Sequence, residues 1–291
     1  MAESRRPGRK RNDPLQSLVA GIDRARPDAP APDTVPSGFP SLDQVLGGGF
    51  RRQDLVVLAG DVGSGKSALA LGIALRAARA ATPVRYLSAE MSAERLRERA
   101  LALEGKASVD DLRRGMLDDA GRAAIGAAAV AQRDLPLSYA AVAAEPAFAE
   151  LEGPMLMLPR PALVIVDSLQ LLSPEHPGLG LDDRLAAATA RLKSAAIRTD
   201  VALLLVAHLP GHRADRPDPR PTLDDLGARG AVKQHADVVL ALYREEMYRP
   251  GQGMEGATEL VVLKNRNGPT GFVDLFFHPR WLRFEDLLDR D

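Results

Sequence analysis

The stretch GDVGSGKS at residues 60–67 fits the pattern G-x-x-x-x-G-K-[ST] at every fixed position. The apolar run DLVVLA before it predicts a short strand, and the run SALALGIAL after it is rich in helix formers. A strand, a glycine-rich loop and a helix in this order are the setting that a phosphate-binding loop requires. The alternative, a glycine-rich turn that matches the pattern by accident, is disfavoured by that setting. We therefore predict a nucleoside triphosphate site.

The residue types of this loop suit the binding of phosphate. Glycines let successive backbone N–H groups point at the β-phosphate, and the N-terminus of the following helix favours an anion. Lys66 is predicted to reach the β- and γ-phosphates, and the Ser67 hydroxyl is predicted to bind Mg²⁺. The residues predicted to hold the nucleotide are Gly60, Asp61, Val62, Gly63, Ser64, Gly65, Lys66, Ser67 and Ala68.

Length and composition restrict the class of protein. The chain has 291 residues, which suits one large α/β domain with a tail. Its 38 Lys and Arg residues balance 39 Asp and Glu residues, so nucleic acid has to be bound by a local patch. The absence of cysteine excludes disulfides, thiolate chemistry and cysteine-based zinc sites. Without a long apolar run or a signal-peptide core, we expect a cytoplasmic protein with no membrane span.

The first 35 residues differ in composition from the rest, with a basic cluster at the start and several prolines at the end. The basic cluster is either a solvated tail or a non-specific nucleic-acid arm. Four apolar residues between these parts recur at helical spacing, namely Leu15, Leu18, Val19 and Ile22. They predict either a frayed leader or a short linker helix that packs on a neighbouring subunit. We therefore divide the chain into a tail at residues 1–35 and a domain at residues 36–291.

Three predicted strands deliver polar residues near the phosphate loop. The run VRYLS comes just before Glu90, LVIVD ends at Asp167, and VALLLVAH ends at His208. α/β sheets place their chemistry at the carboxyl ends of parallel strands, so we expect these side chains along one edge. A lone acid at a strand end is usually a helix cap. Because Asp167 follows a phosphate loop at a typical distance, we predict instead that it organises Mg²⁺.

The remaining pattern decides the fold class. Residues 93–150 predict helices with loops, beginning at an N-cap at Ser92, and residues 209–221 predict a loop. The run VVLALY is a further strand, and two more strands flank NRNGPTG as a hairpin. Strands that alternate with helices before an antiparallel end describe a mostly parallel, doubly wound α/β sheet with a C-terminal antiparallel hairpin.

Several separated motifs, in the family's order, resemble the C-terminal motor domain of DnaB-type replicative helicases, a RecA-like P-loop ATPase, over roughly residues 34–287. The segments that carry the resemblance are SGFPSLD (37–43), GSGKSALAL (63–71), SAEMS (88–92), VIVDSLQL (164–171), GAVKQHADVV (230–239) and KNRNGPTG (264–271). The family shows T-G-F-x-x-L-D, M-G-K-T-A-L-A-L, S-L-E-M-S, I-V-I-D-Y-L-Q-L, G-A-I-E-Q-D-A-D-V-V and K-N-R-N-G-P-T-G at these places.

The resemblance implies hydrolysis of ATP with Mg²⁺. It makes Glu90 the general base that orients and deprotonates the attacking water, while Asp167 holds Mg²⁺ through its water shell. It also implies that Lys264 and Arg266 project into a neighbouring subunit's nucleotide, Arg266 as an arginine finger worth roughly 10³–10⁵ in rate. Without the resemblance, an exposed basic hairpin tip is the preferred interpretation. We therefore expect a homo-oligomer, a hexameric ring or a helix, with nucleotide sites between subunits.

The resemblance further implies single-stranded DNA in a central channel, next to the loops after Asp167 and His208. A sequence-independent channel neutralises the phosphate backbone more than it reads base edges. The candidate phosphate contacts are Arg213, Arg216 and Arg220. Neighbouring acidic residues and the absence of aromatic residues in that loop count against them.

The chain departs from the family pattern at several positions. His208 replaces a glutamine that senses the γ-phosphate and couples it to the DNA loops, and Ser168 replaces an aromatic residue. Gly227 stands where the family has an arginine, with Arg229 as a candidate replacement. These departures, and a short segment where the family has a helical N-terminal domain, keep open a second function. That alternative is a regulatory or recruitment ATPase that switches assembly with a protein partner and does not unwind DNA.

Overall fold

A computed structural model describes residues 15, 16, 19, 31, 33–142, 153, 155, 161–172, 178–210, 215–251 and 254–289. Its contacts divide the chain into two units, Met1–Pro32 and Asp33–Asp291. In the smaller unit, Leu15 and Val19 of the predicted linker helix are helical. The other two residues of that prediction, Leu18 and Ile22, lie outside the described residues.

Helices and strands of the larger unit follow one another as the predicted alternation requires. In chain order they are β1 (Thr34–Val35), α1 (Pro40–Val45), β2 (Phe50–Arg51), β3 (Leu55–Gly60), α2 (Lys66–Arg79), β4 (Val84–Ser88), α3 (Ala93–Glu104), α4 (Val109–Arg114), α5 (Asp119–Gln132), β5 (Leu137–Ala141), β6 (Leu163–Asp167), α6 (Leu181–Thr199), β7 (Ala202–His208), α7 (Ala231–His235), β8 (Val238–Tyr243), β9 (Ala257–Asn265), β10 (Gly271–His278) and β11 (Arg283–Asp286). No helix among these described residues is long and apolar enough to cross a bilayer.

One nine-stranded sheet organises the larger unit, with the order β11-β10-β9-β8-β3-β7-β6-β4-β5. The strands from β8 to β5 pair in parallel, whereas β9, β10 and β11 join in antiparallel pairs. This arrangement confirms the predicted mostly parallel sheet with an antiparallel C-terminal hairpin. Because β3 is the middle strand, the phosphate loop leaves the sheet at its centre.

Helices cover both faces of the sheet, as alternate residues of β3 demonstrate. Val56 and Leu58 lie in the same apolar cluster as Leu69 of α2, whereas Val57 lies in the opposite cluster with Leu192 of α6. Successive side chains of a strand point to opposite faces, so a strand buried on both faces has to be apolar throughout. The continuous apolar run before the phosphate loop is explained in this way.

The sequence pattern predicts most of these elements but not the two-residue strands β1 and β2, the edge strands β5 and β11, or α7. β5 has the sequence LSYAA, lies at the edge of the sheet and is at most half-buried, so it lacks a clear apolar alternation. β11 is only four residues long, although Phe284 and Asp286 both point inward. The helices predicted over residues 93–150 are present as α3, α4 and α5, while residues 143–150 lie outside the described residues. The N-cap at Ser92 is confirmed, because its Oγ accepts a hydrogen bond from the Arg95 N–H at 3.3 Å.

Candidate nucleotide-binding site

The phosphate loop turns tightly between β3 and α2. Gly63 and Gly65 have φ values of 79° and 100°, in the left-handed region that other residues rarely adopt. A Cβ atom on Gly65 would lie 2.9 Å from the Phe284 ring, and one on Gly60 would lie 2.6 Å from Ser64 Oγ. The close approach of backbone and side chains therefore requires glycine at the positions where the motif predicts it.

Lys66 begins α2 and is buried. Its Nζ donates a hydrogen bond to the backbone carbonyl oxygen of Asp61 at 2.8 Å, so the ammonium group lies inside the curl of the loop. Burial lowers the pKa of Lys66, and the negative charges of Glu90, Asp167 and Asp61 oppose this effect. The structure thus places the ammonium group beside the N–H groups that would receive the phosphates.

Asp167 at the end of β6 is fully buried and fits a role in binding a cation. Its Oδ2 accepts a hydrogen bond from the Tyr86 hydroxyl at 2.8 Å, whereas its Oδ1 is buried without a hydrogen-bond partner in the described part of the chain. Burial raises the pKa of this carboxyl, and the hydrogen bond from Tyr86 opposes the rise. The Ser67 hydroxyl is near enough to Asp167 to lower the pKa of this carboxyl as well.

This donor set suits Mg²⁺, which is bound through one or two protein oxygens together with the phosphates of a nucleotide. Ser67 supplies a hydroxyl oxygen and Asp167 an otherwise unpaired carboxylate oxygen. Among the described residues no group of three or more His, Asp or Glu side chains forms a separate metal site. The phosphate loop is therefore the place where these residues could hold a divalent cation.

Glu90 and His208 lie on the same edge of the sheet. His208 pairs in register with Gly60, and its Nε2 is 3.8 Å from Glu90 Oε1. The same Glu90 oxygen accepts a hydrogen bond from the Ser168 hydroxyl at 2.8 Å. Burial and the charge of Lys66 lower the pKa of His208, and the charge of Glu90 opposes this effect. The three predicted strand ends therefore meet beside the phosphate loop.

A cavity of about 420 Å³ joins these groups. Polar residues of the loop, with Glu90 and His208, form one part of its wall, and residues from the C-terminal strands form an apolar part. The residues that line it are Val62, Gly63, Gly65, Lys66, Ser67, Ala68, Glu90, Arg99, His208, Arg244, Phe277, Pro279 and Leu282. The mixture of cations, loop backbone and an apolar wall is what a nucleotide with phosphates and a base requires.

A second cavity of about 460 Å³ lies along α2 and is lined largely by charged residues. Its charges are paired within the chain. Arg76 binds both carboxylate oxygens of Asp289, at 2.7 and 2.5 Å, and Arg79 forms an ion pair with Glu104. Lys106 and Arg283 lie 4.0 and 3.0 Å from Glu285, so each cation that lines this cavity has a carboxylate of the described residues beside it. The second cavity is therefore a structural feature of the C-terminal packing.

Arg99 on α3 lines the cavity, although no motif in the sequence predicts it there. Its side chain is half-buried, and no carboxylate of the described residues forms an ion pair with it. A positive charge is thereby left available to an anionic ligand. The sequence does contain a signal, because Arg99 lies three residues after Leu96 and four before Leu103, both of which are buried. A charged residue on the buried side of a helix is unusual.

Lys264 and Arg266 do not line the cavity of their own chain. The Lys264 Nζ donates to two carbonyl oxygens at the end of α7, both at 2.6 Å. Arg266 Nη1 lies 3.2 Å from Oδ1 of the buried Asp237, and its Nη2 donates to the Gln234 carbonyl oxygen at 3.2 Å. The Arg266 side chain is still 52% exposed. Contact with a nucleotide would therefore require a neighbouring subunit.

The arginines predicted to contact nucleic acid are engaged with carboxylates of their own chain. Arg216 binds both oxygens of Asp225 at 3.1 and 2.8 Å, and Arg220 binds both oxygens of Glu259 at 2.7 and 2.6 Å. Arg213 lies outside the described residues. A DNA phosphate would have to compete with these pairs, and the nucleic-acid contacts stay a prediction.

Gly227 adopts a backbone conformation that explains its departure from the family pattern. Its φ of 62° and ψ of −147° are accessible essentially to glycine alone, and a Cβ atom would lie 2.8 Å from Pro210 Cγ. Arg229 forms an ion pair with Asp183 at 2.9 Å on the α6 side. It does not line the nucleotide cavity.

Comparison with known proteins shows the family to which the chain belongs. The family model described as "DnaB-like helicase C terminal domain" matches residues 34–286. The replicative DNA helicase DnaC of Bacillus subtilis is 30% identical over 262 residues, which cover 87% of this chain and 56% of that protein. The replicative DNA helicase DnaB of Treponema pallidum is 32% identical over 254 residues, which cover 86% and 55%. The chain thus spans about half the length of the curated relatives it matches.

Solved structures agree with the fold. A DnaB-like replicative helicase, described with its interactions with primase, has a TM-score of 0.87 at 24% identity and covers 96% of this chain and 68% of that one. The ATPase domain of G40P has a TM-score of 0.86 at 24% identity and covers 95% and 99%. A KaiC-like protein of Pyrococcus horikoshii has a TM-score of 0.59 at 17% identity and covers 87% and 98%. These likenesses confirm the RecA-like fold.

Proposed function

The chain belongs to the family of DnaB-like helicase C-terminal domains, and on this premise we propose that it is an ATP-hydrolysing motor that acts on single-stranded DNA. One observation carries the proposal. The cavity beside the phosphate loop contains both Lys66 and Glu90, and the unpaired Oδ1 of Asp167 lies at the same sheet edge. Groups for phosphate, water and cation therefore converge on one place.

The proposed reaction uses each of these groups differently. Lys66 and the N–H groups of the loop bind the phosphates, and Arg99 adds a second positive charge to the same cavity. Ser67 and Asp167 hold Mg²⁺, which neutralises charge on the phosphates when bound. Glu90, partly exposed to the cavity, accepts a proton from the attacking water. Phosphoryl transfer depends mainly on such positioning and charge stabilisation, so this small set is sufficient.

We propose that Arg266 completes the site of a neighbouring subunit in a homo-oligomer, which we take to be a hexamer. Its half-exposed guanidinium and its position away from its own cavity support this role. To reach a neighbour's nucleotide, Arg266 has to exchange Asp237 for a phosphate oxygen. Lys264 is the second residue assigned to the interface, although its Nζ is bound to the end of α7.

We place single-stranded DNA next to the loops after Asp167 and His208. These loops leave the sheet at the edge that holds the nucleotide cavity, which supports coupling between the two ligands. Arg213, Arg216 and Arg220 remain the candidate contacts, and the last two would exchange a carboxylate for a DNA phosphate. A DnaB-like helicase of similar fold is described with primase, and a replication protein of that kind is the partner we propose.

ATP turnover measured with and without single-stranded DNA, over a range of salt concentrations, tests the proposal. We expect DNA to raise turnover about tenfold at low salt and the effect to fall as salt rises, because phosphate contacts release counterions. Lys66→Ala serves as the inactive control. If DNA does not raise turnover and does not bind the protein in a salt-dependent way, the result would support the recruitment ATPase instead. The similarity to replicative helicases does not favour that alternative.

A further inference from the structure

We propose that Ser168 is a positioning residue for the Glu90 carboxylate and that it leaves Glu90 Oε2 as the oxygen that accepts the proton of the attacking water. This inference rests on the proposed function, in which Glu90 is the general base. It concerns a position at which this chain has serine where the family shows an aromatic residue.

The main chain first fixes Glu90 relative to Ser168. Strands β4 and β6 are parallel neighbours in which Ser88 is paired with Asp167, so the two strands end side by side. The Ala89 N–H donates to the Asp167 carbonyl oxygen at 2.7 Å, and Ser88 Oγ accepts a hydrogen bond from the Glu90 N–H at 3.1 Å. The backbone of Glu90 is therefore tied to the strand that Ser168 directly follows.

The side chains then determine how the carboxylate is oriented. The Ser168 hydroxyl, which is fully buried, donates to Glu90 Oε1 at 2.8 Å. His208 Nε2 lies 3.8 Å from the same oxygen, beyond hydrogen-bond distance. Glu90 Oε2 has no hydrogen-bond partner among the described residues, and the Glu90 side chain is 34% exposed in the cavity. One oxygen of the carboxylate is thus engaged and the other is available.

A hydroxyl hydrogen bond affects a general base in two ways. It restricts the rotation of a flexible glutamate side chain, so the carboxylate is held before water arrives. It also stabilises the ionised carboxylate, which has to be present for proton transfer. An aromatic ring at position 168 has no donor so close to its Cα atom, so the short hydroxyl contact is a property of the serine.

The proposed step is the attack of water on the γ-phosphate of ATP. The oxygen of water bonds to the γ-phosphorus while the bond from phosphorus to the bridging oxygen breaks, and the electron pair of that bond stays on the ADP leaving group. One proton of the water passes to Glu90 Oε2. Ser168 keeps its own proton throughout, because it donates to Oε1 both before and after the transfer.

A double-mutant cycle tests this role. Ser168→Ala is made alone and together with Glu90→Gln, and ATP hydrolysis is measured in steady state and in single turnovers with protein in excess. We expect Ser168→Ala to lower kcat about tenfold, because the loss of a hydrogen bond to a charged group corresponds to roughly a factor of ten in rate. KM for ATP should change less than about twofold. In the Glu90→Gln background, Ser168→Ala should cause no further loss.

The matched control is Ser37→Ala, which removes another fully buried serine hydroxyl away from the cavity. It should leave kcat unchanged, and thermal melting should show both serine variants folded. Unchanged kcat in Ser168→Ala, with turnover strongly reduced in Glu90→Gln, overturns only this inference. An equal loss in both backgrounds overturns it too, because Ser168 then acts without Glu90. Retained turnover in Glu90→Gln overturns the base assignment of the proposed function together with this inference.

Discussion

Asp167 and Glu90, two carboxylates on neighbouring strand ends, have different surroundings. Asp167 is fully buried beneath the phosphate loop and shares a hydrogen bond with Tyr86, while Glu90 is partly exposed in the cavity. A buried oxygen without a donor is stabilised by a cation, whereas an accessible carboxylate can exchange protons with water. Their environments therefore support the proposed division into a metal ligand, Asp167, and a general base, Glu90.

The carboxyl group of Asp54 should make the free energy of unfolding depend on pH. Burial and the nearby charge of Asp237 raise the pKa of Asp54 from 3.8 to about 6. Between these values the folded chain holds a proton that the unfolded chain has lost, so the free energy of unfolding falls as the pH rises through this window. Asp54→Asn should raise the free energy of unfolding by about 2 kcal/mol near pH 8 and change it little near pH 4.

Urea unfolding at both pH values measures this effect. The matched control is Asp134→Asn, since the Asp134 side chain is 79% exposed and should behave alike at both pH values. A stabilisation of Asp54→Asn that is the same near pH 4 and near pH 8 would contradict the prediction, because it would not depend on the ionisation of Asp54.

The sequence predicts least well those residues whose role depends on their neighbours in the fold. The loop residues around Lys66 follow from a local pattern, and Asp167 follows from a strand that ends in an acid. Arg99 and Ser168 belong to no such pattern, because their importance depends on which strand lies beside which. The sheet order that brings Ser168 to Glu90 is a long-range property that one-dimensional spacing does not contain.

Among the elements, the hairpin of β9 and β10 is present as predicted. Lys264 and Arg266 at its end contact α7 and Asp237 of the same chain, and their role in a neighbouring subunit stays a prediction. By contrast β4, β6 and β8 have the predicted bounds, because strands buried on both faces are continuous apolar runs. Edge strands such as β5 are less apolar and escape prediction for that reason.

The two basic residues of the hairpin should respond differently to truncation. Lys264→Ala removes both hydrogen bonds to carbonyl oxygens at the end of α7, so we expect a loss of about 2 kcal/mol in the free energy of unfolding. Arg266→Ala removes a half-exposed ion pair and should cost less than about 1 kcal/mol. Urea unfolding compares the two variants directly. Equal losses would mean that the contacts of Lys264 contribute nothing beyond those of Arg266.

At the scale of the whole molecule, the proposed site is divided between two copies of the chain. Glu90 would come from one subunit and Arg266 from its neighbour, so each variant alone should assemble and hydrolyse ATP slowly. When Glu90→Gln and Arg266→Ala subunits are mixed in equal amounts, about a quarter of the interfaces combine a working cavity with a working finger. We expect about a quarter of the wild-type turnover from the mixture.

The measurement requires ATP turnover together with proof of co-assembly, for example by light scattering and a tag on one variant. A mixture of Glu90→Gln and Glu90→Ala serves as a control and should stay inactive. Co-assembled Glu90→Gln and Arg266→Ala subunits without recovered turnover would rule out a finger supplied by the neighbour.

The separation of the Arg266 hairpin from the nucleotide cavity has a consequence for symmetry. A surface that donates a finger and a surface that receives one are different patches of the same chain, so a subunit of the proposed hexameric ring would present one patch to each of its two neighbours. In such a ring the subunits associate head to tail, through a heterologous interface. Each chain then acts on one neighbour and is acted on by the other, which gives the assembly a direction before any DNA is bound.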